Sequence, residues 1–399
     1  MPPRRNVRFR WALLPALIIL ILCAVLLYTG LSVWRSRDSG LPPTLAQLES
    51  RGEEDAPARL LAPASPESEW FYYHRLGEEE RTVYAEMLAA MQRREEVLLS
   101  SNDTELMGRV FQCVMADHPE LFYVSGYTAT QYATSRKTLG YGFSGRYLYE
   151  EEEILRRSAD LEEAVGRILG GVPEEADAYA LVKYVYETLI RNTVYDDGAP
   201  DDQNICSVFL EGRSICMGYA RATQFLLQRL GMEAALVTGT ADTGLRSDEP
   251  HAWDLVRVDG EWYYVDTTWG DASFATGGET LSGISYEYLL ASTEDLSATH
   301  RAASPVELPD CSSTQANYFV REGAYLTEAD TDAFTVLARR RIEAGEDCVS
   351  CKCATREVYE ELCRKLFDEQ EIFRCLGTAP GGSIRYLRSD RSRTVTVWL

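Results

Sequence analysis

Apolar positions recur at helical spacing near the start of the folded part of the chain, switch to short alternations, and return to helical spacing. Glu78 to Leu99 sets Val83, Met87, Ala90 and Met91 on one face with charge opposite, which predicts an amphipathic helix. Thr104 to Ala116 repeats the pattern with Leu106, Val110, Phe111 and Val114. Leu121 to Tyr132 and Leu139 to Tyr149 are aromatic-rich alternations and read as strands. Glu150 to Leu169 and Glu174 to Arg191 read as helices, the second with Leu181, Val182, Val185 and Leu189 on one face. Ser285 to Ala291 reads as a short helix and His300 as a loop residue. From Asn317 the pattern is strand, helix (Glu328 to Ile342), strand, helix (Arg356 to Phe367) and two strands, Ser383 to Leu387 and Thr394 to Leu399, around a charged turn.

Between these flanks lies Ser214 to Asp271, which holds a thiol, an imidazole and a carboxylate in order. Ser214 can cap a helix with the apolar stripe Tyr219, Ala222, Leu226, Leu227 and Leu230, closed by Gly231. Cys216 then falls in the first turn, where free backbone N–H groups and the positive dipole end favour a thiolate and can hold an oxyanion. Gly218 gives room for substrate or neighbouring backbone.

Ala252 to Val258 and Trp262 to Thr268 alternate around Asp259-Gly260, a strong two-residue hairpin signal. With those two residues as the whole loop, Val258 faces Glu261, Trp253 faces Asp266 and His251 faces Thr268. His251 and Asp266 become diagonal neighbours on one face, roughly 7–8 Å apart at Cα. A slip of one residue would put them on opposite faces. Cys216, His251 and Asp266 are thus the parts of a nucleophile, its base and the group that orients the base. The plain alternatives are a small core cysteine and a hydrogen-bonded strand histidine. A zinc site from the same residues lacks short ligand spacing, and neither a metal nor a cofactor is expected.

Trp11 to Trp34 carries no charge over 24 residues and follows Arg4, Arg5, Arg8 and Arg10. At about 1.5 Å per residue it reaches roughly 36 Å, enough to span a bilayer core. The arginine bias expects a signal anchor with a cytoplasmic N-terminus and the body outside. Ser36 to Ser68, rich in Pro, Ala, Ser and charge, reads as a linker.

A formal net charge of -22, from 40 basic against 62 acidic residues, argues against nucleic acid or anionic membrane surfaces as principal partners. There is no Gly-rich phosphate loop and no EF-hand spacing. His118, just before Pro119, reads as a capping or packing histidine. Ten cysteines are too dispersed for a disulfide scaffold. Cys348, Cys351, Cys353 and Cys363 read as structural cysteines, with a Cys348–Cys351 disulfide and a metal site as alternatives. Cys351 and Cys353 would share a strand face, and Cys348 would point elsewhere.

The strings GRSICMGYARA, HAWDLV and WYYVDTTWGD resemble the transglutaminase-like superfamily, in particular its bacterial cell-surface members. The resemblance is strongest from about Tyr195 to Trp269. It implies an α+β, papain-like fold, in which a helix carrying the cysteine packs on an antiparallel sheet carrying the histidine and aspartate. It implies Cys216 as nucleophile, His251 as base and Asp266 as the orienting residue. It also suggests a polar or aromatic oxyanion donor upstream of the cysteine, for which Gln203 is the candidate. Gly218, Tyr219, Trp253 and Trp269 are candidates for lining the cleft, though core packing explains the aromatics equally well.

The expected organisation is a cytoplasmic tail (1–10), a transmembrane anchor (11–34), a linker (35–68), an N-terminal α/β region (69–173), a transglutaminase-like core (174–310) and a C-terminal α+β region (311–399). The expected function is thiol acyl transfer on protein or peptide amides, cell-wall associated ones included, with water or an amine as acceptor. The alternative is a surface binding or assembly module on the same fold with little or no turnover.

Overall fold

A computed structural model describes residues 35–37, 70–133, 138–242, 247–271, 284–346, 348–379 and 382–399. The apolar run Trp11 to Trp34 and almost all of the linker lie outside them. Among the described residues no helix is long and apolar enough to cross a membrane. The chain divides into two compact units, one taking in Gly77–Val114 and Leu121–Ile154, the other Met115–Glu120 and Leu155–Leu399 with the segment up to Leu76.

In the first unit, β1 (Arg35–Arg37) is followed by α1 (Glu78–Arg93), which buries Val83, Tyr84, Met87, Ala90 and Met91. Three glutamates stand in its first turn, where the helix dipole favours them. The helix expected to run to Leu99 ends at Arg93 because Arg94 turns left-handed, with φ 56°. Val97 and Leu98 leave as β2 (Val97–Leu98), an edge strand that buries Val97 and half-buries Leu98. After α2 (Thr104–Asp117), the hairpin of β3 (Val124–Ala133) and β4 (Thr138–Tyr147) aligns Ala129 with Phe143. The sheet order is β1-β3-β4-β2. Phe111, Tyr127 and Phe143 form its aromatic centre, with Tyr127 and Phe143 stacked at 5.3 Å.

The second unit opens with α3 (Glu151–Leu169), which begins in the first, and α4 (Ala178–Asn192). The Asp177 carboxylate caps α4 by accepting from the Ala180 N–H at 2.8 Å. A two-stranded parallel pair, β5 (Val194–Tyr195) and β6 (Arg213–Ser214), leads into α5 (Cys216–Arg229). Five antiparallel strands follow: β7 (Ala234–Ala241), β8 (Glu249–Val258), β9 (Glu261–Val265), β10 (Leu289–Ala291) and β11 (His300–Ala302). Their order is β10-β9-β8-β7-β11. Small Ala220 lets α5 settle on this sheet against Leu236 and Ala252, flanked by Met217 and Ala116. The helix-on-sheet arrangement is α+β, as expected.

Two expectations here change. Ser285 to Ala291 is no helix. Leu289 and Ala291 pair with Val265 and Tyr264 of β9, and the ladder outweighs local propensity because all three residues of β10 become buried. His300 is no loop residue either, since β11 pairs with Ala241, Thr240 and Gly239 of β7. That pairing needs Gly239, because a Cβ there would strike the Arg301 carbonyl and the Trp253 ring.

The C-terminal part forms a sheet in the order β12-β13-β15-β14, from β12 (Tyr325–Leu326), β13 (Cys348–Cys353), β14 (Tyr386–Ser389) and β15 (Thr394–Trp398). Two helices that precede and follow β13, Thr331–Glu343 and Arg356–Cys363, fall close to the expected positions. A single helical turn, Tyr318–Arg321, comes first, its start capped by the Asn317 side chain at the Phe319 N–H, 3.1 Å away, and the strand expected between Asn317 and the next helix is β12. Cys351 and Cys353 are buried and share a strand face, while Cys348 lies on the opposite face and is half-buried. That parity excludes a Cys348–Cys351 bridge. None of the nine described cysteines is in a disulfide.

Candidate active site

The Asp259-Gly260 turn sets the register of the site. Val258 lies opposite Glu261 and Asp254 opposite Val265, the pairing counted from the sequence. The strand does not continue to Thr268, however. β9 ends at Val265, and Thr267–Gly270 forms one helical turn, α6. Asp266 caps that turn, its Oδ1 accepting the Trp269 N–H at 3.0 Å. Capping explains the break, because an aspartate at this position satisfies a free helix N–H that a strand would leave to a neighbour.

The other oxygen of Asp266 takes two imidazoles. His251 Nε2 lies 2.7 Å from Oδ2, and His300 Nε2 lies 3.0 Å from the same atom. All three residues are buried. Cys216 is half-buried at the start of α5, close enough to the His251 side chain to bear on its charge. With Nε2 turned to Asp266, Nδ1 is the nitrogen left for the thiol. Burial opposes a charged imidazole, but the Asp266 carboxylate and the Cys216 side chain outweigh it and raise the His251 pKa to about 10. Burial likewise pushes the Asp266 carboxyl up, and the two imidazoles overcome it and hold the group well below the usual carboxylate range.

The helix start differs from the expectation. Ile215, not Ser214, is the N-cap, and no side chain caps the helix. The Ser214 hydroxyl instead pairs with Ser207 Oγ at 2.6 Å and with the Asp202 carbonyl at 3.1 Å. The first-turn N–H groups of α5 therefore keep no side-chain cap, the condition for binding an incoming oxyanion.

The other candidates separate by burial. Gly218 is buried, and a Cβ on it would fall on Ser214 Oγ and lie 2.9 Å from Ser207 Oγ. It admits neighbouring chain rather than substrate. Tyr219 and Trp253 are fully buried, Tyr219 donating to the Thr193 carbonyl at 2.9 Å, so both support the site from behind. Trp269 is half-buried and packs on His251 at 5.9 Å and His300 at 4.7 Å. Gln203 is exposed, and its side chain is hydrogen-bonded to the Asp202 carboxylate rather than turned to Cys216. Tyr195 is the aromatic side chain within electrostatic reach of the thiol, and burial pushes its phenol pKa up.

Residues 166–267 match the family model of the transglutaminase-like superfamily. This stretch is a transglutaminase-like domain. It contains Cys216, His251 and Asp266, and ends just before Thr268. No curated protein matches the chain in sequence. Among solved structures, the chain is similar to a TGase at 13% identity and TM-score 0.25, over 44% of this chain and 51% of the other. It is similar to the periplasmic domain of TgpA from Pseudomonas aeruginosa, bound to ethylmercury, at 18% identity and TM-score 0.23, over 33% and 56%. It is also similar to menin, in a structure describing the binding site for Mixed Lineage Leukemia (MLL) protein, at 17% identity and TM-score 0.25, over 59% and 49%. The chain thus spans about half the length of each.

Two residues of the transglutaminase-like domain's surroundings escaped the sequence reading. His300 comes from a strand 34 positions beyond Asp266, and its only signal was the scarcity of histidine, four in the whole chain. Asp254, two residues beyond Ala252, is fully buried and neither carboxyl oxygen has a hydrogen-bond partner. Burial, with the nearby Asp266 charge, raises its pKa well above the ordinary value. Among the described residues, His251, Asp266 and His300 form the tightest donor group, their ligand atoms within 4.8 Å of one another. Each ring N–H points at Oδ2, so a cation would have to displace two hydrogen bonds to enter.

Proposed function

We propose that the transglutaminase-like domain is a thiol acyl-transfer enzyme acting on protein or peptide amides. The observation that carries this reading is the orientation of His251, whose Nε2 is held by Asp266, which leaves Nδ1 as the nitrogen for the nearby Cys216 thiol. The Cys216 sulfur attacks the amide carbonyl carbon while His251 holds the thiol proton. The S–C bond forms, the C–N bond breaks, and the imidazolium gives its proton to the leaving amine. The resulting thioester is then opened by water or a second amine, with His251 taking a proton from the incoming nucleophile and returning it to sulfur. The uncapped N–H groups at the start of α5 are the donors for the oxyanion, and the Tyr195 phenol, within electrostatic reach of the thiol, replaces Gln203 as the candidate second donor. Asp266 stays ionised and stabilises the imidazolium.

With Trp11 to Trp34 as an anchor, the same reading has the domain working outside the cytoplasm, within reach of cell-wall associated peptides. Protease accessibility of the domain on intact cells tests that part.

The activated thiol is tested by iodoacetamide labelling of the full-length protein across pH. Cys216 should react faster than a free thiol peptide at pH 6, and Cys216→Ala should abolish any amide hydrolysis or amine incorporation found in a substrate screen. A Cys216 that labels no faster than the peptide overturns the reading.

A further inference from the structure

Asp266 Oδ2 is shared by two imidazoles, and a nucleophile–base–carboxylate set requires only one. We propose that His300 is a positioning residue that fixes the Asp266 carboxylate in the orientation His251 needs. This rests on the acyl-transfer reading of the site.

The geometry is specific. Oδ1 of Asp266 is anchored by the Trp269 N–H at 3.0 Å, which leaves Oδ2 free to swing about that contact. His251 alone would pull Oδ2 along with its own ring. His300 approaches from a different strand, at 3.0 Å, and completes the anchoring. Its own ring is held at the far end, where Nδ1 lies 2.8 Å from Thr299 Oγ1, and Thr299 Oγ1 lies 3.0 Å from the Tyr288 hydroxyl. The Thr299 hydroxyl also lies 3.4 Å from the Leu296 carbonyl, so the group that braces the far side of the ring is itself held from a third direction. The ionised Asp266 carboxylate can only accept, so the His300 Nε2 that faces it carries a proton and donates.

Packing restricts the ring as well. His300 lies among Trp269 at 4.7 Å, Trp253 at 5.0 Å, Tyr288 at 5.2 Å and His251 at 5.3 Å. A buried ring walled by four aromatics has little freedom to turn, so its N–H is a fixed donor. The titratable groups bearing on the arrangement are Asp266, His251 and Tyr288 around the ring, Glu287 beside Tyr288, Cys216 near His251, and Asp254 and Tyr186, which feel the Asp266 charge.

His300→Phe keeps a ring in the aromatic box but removes the donor, whereas the His300→Gln amide can still donate to Oδ2. Iodoacetamide labelling of Cys216 across pH in the full-length protein separates them. For His300→Phe the acid limb of the profile should move up by about one pH unit, and the plateau rate should fall about tenfold, the effect of losing one hydrogen bond to a charged group. His300→Gln should recover most of both. An unchanged profile in His300→Phe, or a His300→Gln profile no better than that of His300→Phe, overturns the proposal. A second readout does not depend on reactivity. Nitrogen-edited spectra of the imidazole N–H protons should show two resonances shifted far downfield in the wild type, and His300→Phe should remove one and move the other. If the remaining His251 signal does not move, the two rings are not coupled through Asp266 and the proposal falls. A wild-type Cys216 that labels like a free peptide while this spectral coupling is present defeats the acyl-transfer reading but leaves the geometry of His300 standing.

Discussion

His251 Nε2 and Asp266 Oδ2 stand 2.7 Å apart across a hairpin closed by two residues. The pair is diagonal in the ladder, one step beyond the last paired residue of β9, and Asp266 reaches it while capping the helical turn that follows. Its function depends on the ionised carboxylate. Asp266→Asn keeps the shape but can present an N–H where an acceptor is required. Labelling of Cys216 at pH 6, or turnover once a substrate is found, should fall by on the order of 10²–10⁴.

The same pair sets a pH window for stability. His251 has its pKa raised from 6.5 to about 10, so its contribution is full below pH 6.5 and is lost as pH rises through 10. Asp266 has its pKa lowered from 3.8, so its contribution is present above pH 3.8 and is lost as pH falls through the lower folded value. Thermal melts against pH should show both flanks in the wild type. In Asp266→Asn both should flatten.

Asp254 acts in the opposite sense. Its pKa is raised, so the folded state holds the proton longer and stability declines as pH rises above 3.8. Asp254→Asn should therefore stabilise the protein at neutral pH by about 1–2 kcal/mol, with the gain vanishing toward pH 4. Denaturant titrations at the two pH values check both the sign and the convergence.

Gly218→Ala should destabilise by about 1–3 kcal/mol, because the added methyl meets Ser214 and Ser207 on one side and the Asp202 carbonyl at 3.1 Å on the other. Gly260→Ala puts a methyl into open space but on a residue with φ 87°, so its cost is backbone strain rather than collision. Comparing the two variants by chemical denaturation separates these origins.

The thiols should divide by exposure. Cys216 and Cys348 are half-buried, and the other described cysteines are buried. Brief treatment with an alkylating reagent should label those two first. Peptide mapping without reductant should find no Cys348–Cys351 bridge, since consecutive faces of β13 carry the two sulfurs apart.

The sequence by itself determined whatever depends on near neighbours in the chain. Helical periodicity located α2, α3 and α5, because burial of one face is written every three or four residues. The Asp259-Gly260 dipeptide determined a hairpin register, since only two residues separate the strands and each next pair follows by counting. That register was enough to bring His251 and Asp266 together. What it missed was also local: α1 stops at the left-handed Arg94, and the Ser214 hydroxyl is taken up by Ser207 and the Asp202 carbonyl rather than by a helix end. The propensities of these residues allow both outcomes, and packing chose. His300, Asp254 and the engaged Gln203 were decided only by tertiary structure. His300 reaches Asp266 through β11, whose place beside β7 depends on Gly239 and on closure of a long connection. No periodicity records contacts of that kind, because the free energy that forms them comes from burying distant segments together.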